Sequence, residues 1–302
     1  MHSIQGMIVP LITPFKGVGE VDVAALKTLC EIQIRSGIQT LFVLGTTGEF
    51  YGLSPQQRRE VVETTVETVK GRIPVIVGIS GDSTASALSA LDCARLGGVS
   101  AYVISTPYFL SYTQAELLDY FRELADAVGA PVILYNYPAR YGHIIEVNTI
   151  ETLVKERRVF GIKDTAGDLE YMFRLLQLKE SQPSFRVFEG ALQNLALAGR
   201  RGIDGSVQAI GNLLPAECAR LWRLVQSQEW TTLEKEIARL WKFHRDIEGV
   251  AIFISALKGC MALRGWCSEL PARPTKAVGN TATVRLRDLM DEAYPEWEVS
   301  SE

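Results

Sequence analysis

From residue 7 onward the chain repeats one unit, a short run rich in β-branched and aromatic residues followed by a longer stretch of helical period. The runs fall at 7-12, 40-44, 73-77, 100-105, 131-135, 159-163, 185-189 and 203-208. Between them apolar residues recur at helical spacing, as in Val62, Val66 and Val69 and again in Leu117, Phe121, Leu124 and Val128. Each such helix has one apolar face to lay on a sheet. Start signals agree, with Ser54-Pro55 opening the second helix and Thr113 standing three residues before Glu116, a capping-box spacing. Strands alternating with helices predict a parallel sheet. Eight of them close into a TIM (β/α)8 barrel of the α/β class, whose reactive groups gather at the C-terminal ends of the strands. The competing open, doubly wound sheet would carry a GxGxxG turn after its first strand, and neither that nor a GxxxxGK[ST] loop is present.

After about residue 213 the strand signal stops. Helical patterns follow at 215-226, 229-246, 250-264 and 285-293, with Leu233, Ile237, Leu240, Trp241 and His244 forming one broad apolar stripe. The expected organisation is a barrel over 1-212 and a C-terminal helical extension over 213-302, packed on the barrel or on a neighbouring subunit.

A net charge of -4 and a sequence pI of about 5.6 give no electrostatic reason to expect nucleic acid or an anionic membrane surface. No apolar run approaches the ~18 residues that cross a bilayer, and Met1 to Gly6 read as no secretory leader. Cys30, Cys93, Cys218, Cys260 and Cys267 form no CxxC pair and read as reduced thiols of a cytoplasmic protein. His2, His143 and His244 are too dispersed for a metal site, and each reads as a surface or cap residue. The expected partner is a small molecule.

The strand at 159-163 ends on Lys163 and runs into a loop closed by Gly167. Lysine is rarely buried, so an ammonium against an apolar strand either pairs with an acid, here Asp164, or serves a reaction that needs a neutral amine. The segment Gly45-Thr46-Thr47-Gly48-Glu49 follows the second strand. Its glycines let amides and hydroxyls converge on a small anion, or simply make a turn with Glu49 in the following cap. Tyr135 closes the fifth strand and Arg140 follows Pro138; a core ring and a surface ion-pair partner are their plain structural readings.

Taken in order, VPLITPF at 9-15, GTTGE at 45-49, TPY at 106-108, YNYP at 135-138, GIKD at 161-164 and GSVQAIGN at 205-212 span nearly the whole chain. Together they resemble the dihydrodipicolinate synthase/N-acetylneuraminate lyase family of class I, Schiff-base-forming aldolases and synthases. The resemblance implies a barrel with a C-terminal helical region, a homotetramer built as a dimer of dimers, and no metal or organic cofactor. It further implies that Lys163 condenses with pyruvate or another 2-oxo acid and that Tyr135 shuttles protons. Thr46 would relay protons to Tyr135, Thr47 with neighbouring amides such as that of Gly48 would hold the carboxylate, and the Val207 carbonyl would point at the lysine. Only a neutral amine attacks a carbonyl, so burial is expected to lower the pKa of Lys163.

Two departures qualify the resemblance. The synthases carry a second tyrosine after TPY, which enters a neighbouring subunit's site; here that position is Phe109, which passes no protons unless Tyr108, Tyr137 or Tyr141 replaces it. They also tend to place threonine where this chain has Tyr141. Arg140 matches the synthase arginine that binds an acidic aldehyde. The expected activity is therefore cleavage or formation of a 2-oxo acid, such as a 2-keto-3-deoxy sugar acid, to pyruvate plus an aldehyde. The alternatives are 4-hydroxy-tetrahydrodipicolinate synthase, joining pyruvate to aspartate semialdehyde, and a dehydratase or deaminase using the same imine; a 2-oxo-acid binding protein without turnover is the reading outside the enzymes. Specificity is expected in the loops around 108-112, 137-143, 189-193 and 208-211.

Overall fold

In the computed structural model, which describes residues 3–17 and 19–297, eight parallel strands close into a barrel. They are β1 (Gly6–Pro10), β2 (Thr40–Val43), β3 (Val75–Gly78), β4 (Ala101–Ser105), β5 (Val132–Asn136), β6 (Gly161–Asp164), β7 (Arg186–Glu189) and β8 (Gly205–Val207). Each pairs with its neighbour in sequence, and β8 returns to β1 through Gly6 opposite Gly205 and Ile8 opposite Val207. The strands lie where the β-branched runs predict them, with no end shifted by more than two residues. The third begins at Val75 because Pro74 has no N–H to offer the ladder. It extends to Gly78, where a side chain would meet the Leu44 carbonyl oxygen at 2.2 Å.

The strands are buried on both faces, as a barrel ringed by helices requires. Inward-pointing Ile8, Phe42, Ile76, Val103, Ile133, Tyr135, Phe188 and Val207 pack into an inner core. Their neighbours along each strand point outward into a larger core shared with the helices. Helices Val23–Arg35, Pro55–Val69, Thr84–Ala94, Gln114–Val128, Val147–Lys155, Leu169–Ser181, Leu195–Arg200 and Pro215–Gln226 follow the eight strands in turn. The capping boxes at Ser54 and Thr113 form as their spacing predicts. A short antiparallel pair, Phe15–Gly17 with Glu20–Val21, lies between β1 and the first helix.

Beyond the barrel come helices Trp230–Glu248, Phe253–Leu263 and Asn280–Ala293. The last begins five residues before its apolar pattern does, because its first turn is largely exposed and has no side-chain cap. The five cysteines are free. Among the described residues no helix is long and apolar enough to cross a membrane, and no group of histidine, cysteine, aspartate and glutamate side chains could hold a metal ion. His2 lies outside the described residues.

Candidate active site

Lys163 owes its position to the pleat of β6. Successive side chains alternate across a strand, so Ile162 and Asp164 face the helix layer while Gly161 and Lys163 face the barrel interior. The alternation separates Lys163 from the acid beside it. Asp164 instead accepts a hydrogen bond from Asn136 Nδ2 at 2.7 Å and another from the Ala166 amide at 3.3 Å, and among the described residues no carboxylate pairs with Lys163. The salt-bridge reading is thereby overturned. The Lys163 side chain is 7% exposed, with Nζ 3.7 Å from the centre of the Tyr135 ring and 5.5 Å from that of Phe42. Burial lowers its pKa to about 7, against the weaker opposing pull of Asp164.

Tyr135 lies directly opposite Lys163 in the β5–β6 register. Burial raises its phenol well above the ordinary value, and the hydroxyls of Thr46 and Thr165 work against that rise. The Thr46 hydroxyl is also bonded to the hydroxyl of Tyr141 at 2.9 Å. Tyr141 ends a single helical turn, Pro138–Tyr141, and its ring packs edge-on against Tyr135 with centroids 5.6 Å apart. Thr165, two residues beyond the lysine, lines the same cavity with its buried hydroxyl close to that of Tyr135. The sequence reading missed Thr165, whose only signal was its closeness to the strand end.

The Gly45–Glu49 turn is bracketed by two non-glycine residues in the left-handed region, Leu44 at φ 56° and Glu49 at φ 55°, conformations that cost energy and persist only where the surroundings hold them. Gly45 is required because a Cβ there would stand 2.8 Å from the Phe42 ring, and at Gly48 it would stand 3.0 Å from the Leu11 carbonyl oxygen. Glu49 is not merely a cap residue. Its fully buried carboxylate pairs with Lys258 of helix Phe253–Leu263 and accepts from the Ala272 amide at 2.6 Å. The far end of the chain thus holds the turn that presents Thr46 and Thr47. Both threonines line the cavity, while Gly48 lies behind them and accepts at its carbonyl from the Thr13 hydroxyl at 2.7 Å.

These groups share a cavity of about 700 Å³ at the C-terminal end of the barrel. Val207 lines it from β8, and Arg140 stands at its exposed edge beside Tyr137, whose hydroxyl favours the charged guanidinium. Of the loops expected to set specificity, Tyr108, Tyr137, Arg140, Tyr141, Gly190 to Gln193, Gln208 and Ala209 line the wall. Trp241, His244, Phe253 and Thr275 of the C-terminal region complete it, a contribution the strand-end logic did not include. His244 is therefore no surface or cap residue: its ring stacks between Trp241 at 5.3 Å and Phe253 at 4.4 Å. Its place on the apolar stripe was the available signal. His143 does act as a local fastener, accepting from the Tyr112 amide at 2.8 Å and bonding through Nδ1 to the Tyr141 carbonyl at 3.0 Å. Phe109, at 83% exposed, is absent from the cavity wall.

Comparison with known proteins gives a consistent result. The model of the "Dihydrodipicolinate synthetase family" matches residues 3–293. The 4-hydroxy-tetrahydrodipicolinate synthase of Stenotrophomonas maltophilia (strain R551-3) is 32% identical over 94% of this chain and 95% of its own. Among solved structures, dihydrodipicolinate synthase from Bacteroides thetaiotaomicron superposes with a TM-score of 0.91 at 26% identity, covering 97% of this chain and 99% of that one. The E. coli K12 prophage protein YagE, of the same family and solved with pyruvate, gives 0.90 at 26% identity over 96% and 98%.

Proposed function

The chain belongs to the dihydrodipicolinate synthetase family, whose members are class I lyases and synthases, and from that premise we propose that it is a carbon–carbon lyase working through an imine on Lys163. Its reaction is the reversible cleavage of a 2-oxo acid, such as a 2-keto-3-deoxy sugar acid, to pyruvate and an aldehyde. The observation that carries this reading is an amine with no carboxylate paired to it among the described residues, its pKa lowered to about 7, at the floor of a cavity beside Tyr135.

In this reading neutral Lys163 attacks the C2 carbonyl of the 2-oxo acid, the C–N bond forms, and the carbonyl oxygen leaves as water after receiving two protons. The protonated imine draws electrons, so the C3–C4 bond breaks once the C4 hydroxyl gives up its proton, leaving a neutral enamine and an aldehyde. Protonation of the enamine at C3 and hydrolysis return pyruvate and the free lysine. Tyr135 is the acid and base for these transfers, with Thr46 supplying and accepting its proton. Thr47 and the turn ending at Gly48 receive the carboxylate, and Val207 borders the imine from β8. Tyr51, Tyr137, Gln193 and Gln208 offer hydrogen bonds to the hydroxylated part of the substrate.

Arg140 favours a second reading, the joining of pyruvate to aspartate semialdehyde, because a guanidinium at the cavity edge suits an acidic aldehyde. We further propose a cytoplasmic homotetramer: exposed Phe109 and Leu110 side by side suit a subunit interface, and free, mostly buried cysteines suit a reducing compartment. Borohydride reduction with pyruvate is expected to fix one adduct on Lys163, and an adduct elsewhere, or none, overturns the mechanism. Release of pyruvate from a panel of 2-keto-3-deoxy acids, set against consumption of pyruvate with aspartate semialdehyde, decides between the two readings.

A further inference from the structure

Tyr141 serves no evident purpose as a core residue alone. Its ring is 94% buried amid three other tyrosines, with centroids at 5.6 Å from Tyr135, 5.9 Å from Tyr108 and 6.3 Å from Tyr137. Its hydroxyl is directed onto Thr46 at 2.9 Å, and a phenylalanine would fill the same space without that bond. Thr46 in turn lies against Tyr135, which faces Lys163. The three hydroxyls therefore run from the lysine towards Tyr108, which is 39% exposed at the rim.

We propose that Tyr141 completes a proton relay, Tyr135–Thr46–Tyr141, contained within a single chain. Resting on the imine chemistry proposed above, it goes beyond that reading by assigning the outer end of the relay to a residue of the same chain as the lysine. When Tyr135 gives its proton to the leaving hydroxyl, Thr46 gives its own to Tyr135 and Tyr141 gives its own to Thr46. Three O–H bonds break and three form, and a proton from solvent by way of the rim restores Tyr141. Reversal of the same chain removes a proton from the substrate side. Tyr141 touches no reacting atom in this scheme; it positions and recharges Tyr135 through Thr46. The Nδ1 bond of His143 to the Tyr141 carbonyl and the ring packing hold it in line.

The test needs pyruvate alone. In D2O, formation of the imine and enamine exchanges the pyruvate methyl protons, which NMR follows directly, and borohydride trapping reports the imine separately. Tyr141→Phe is expected to slow exchange at least about tenfold, within the range of a lost acid–base contribution. The pyruvate concentration giving half-maximal exchange should stay unchanged, and the trapped adduct should still form. Thr46→Val should slow exchange similarly, Thr46→Ser should restore most of it, and the double variant Tyr141→Phe with Thr46→Val should be no slower than the slower single one. Exchange by Tyr141→Phe within about twofold of the unaltered protein, or multiplying losses in the double variant, overturns the relay while leaving the imine intact. Absence of any adduct in the unaltered protein overturns both the imine and the relay built on it.

Discussion

Tyr135 and Lys163 stand opposite each other on adjacent strands, with the lysine Nζ 3.7 Å from the centre of the tyrosine ring and no carboxylate paired to it among the described residues. The strand register creates the pairing, and the aromatic wall keeps the amine dry. The consequence is a titration near neutrality. Only the neutral form attacks, so the rate of imine formation with pyruvate should rise about tenfold per pH unit below about 7 and level off above it. Stopped-flow trapping across pH 5 to 9 measures this, and a rate still climbing steeply at pH 9 would show an ordinary lysine.

The same burial has a stability cost. The folded pKa of about 7 lies below the ordinary 10.5, so between these values the unfolded chain holds a proton that the folded chain lacks, and stability rises with pH. The cost is fully present below about pH 7. Lys163→Met should therefore abolish adduct formation yet stabilise the fold by roughly 2–4 kcal/mol at pH 6, with the gain shrinking towards pH 10. Urea unfolding at both pH values checks the sign.

Glu49 and Lys258 form a fully buried ion pair joining the site turn to the C-terminal helices. Lys258→Met leaves the Glu49 carboxylate buried without its countercharge and should cost about 3–5 kcal/mol. Adding Glu49→Gln keeps an acceptor for the Ala272 amide and removes the stranded charge, so the double variant should recover a good part of the loss. Recovery is incomplete because the Thr13 and Leu270 carbonyls, which Lys258 bridges at 2.8 and 2.9 Å, stay without their donor. A double variant no more stable than Lys258→Met would place the effect in packing instead of charge.

Glu189 faces the helix layer, opposite Asp164 in the β6–β7 register. Burial raises its pKa to about 8, with Asp164 adding to the rise. The unfolded carboxyl ionises near its ordinary value while the folded one stays protonated, so this residue draws stability down as pH rises from about 4.5 to 8. Glu189→Gln does not titrate. Its advantage over the unaltered protein should grow across that window and then hold constant, as thermal unfolding at pH 5, 7 and 9 would display.

Arg140→Ala separates the two halves of the substrate. With an acidic aldehyde, KM for that partner should rise at least about tenfold, the loss of a charge-assisted bond of roughly 1.5–3 kcal/mol, and KM for pyruvate should stay put. Equal KM values across neutral and acidic aldehydes would remove Arg140 from recognition.

The barrel was legible because the repeat is local: each strand and helix announces itself by periodicity, and eight parallel strands have few ways to bury both faces. Lys163, Tyr135, Thr46 and Arg140 were legible for a related reason, since strand ends of a barrel converge whatever lies between them. Less visible were contributions from outside that logic. Trp241 and His244 sit on a helix whose apolar stripe reads the same whether it faces a core or a cavity. Thr165 carried no motif of its own.

What the amino-acid order determined alone was which groups could meet, by placing a lysine, a tyrosine and two threonines at the ends of barrel strands. The tertiary structure decided how those groups stand to one another. Asp164 follows Lys163 in the chain and by sequence is its natural partner, yet the pleat turns it to the opposite face and leaves the amine without it. Tyr141, read as one of three tyrosines that could stand in for Phe109, meets Thr46 because a single helical turn after β5 brings its hydroxyl there across 95 positions of sequence. Charge state and proton path both depend on distances through space, which no local pattern encodes.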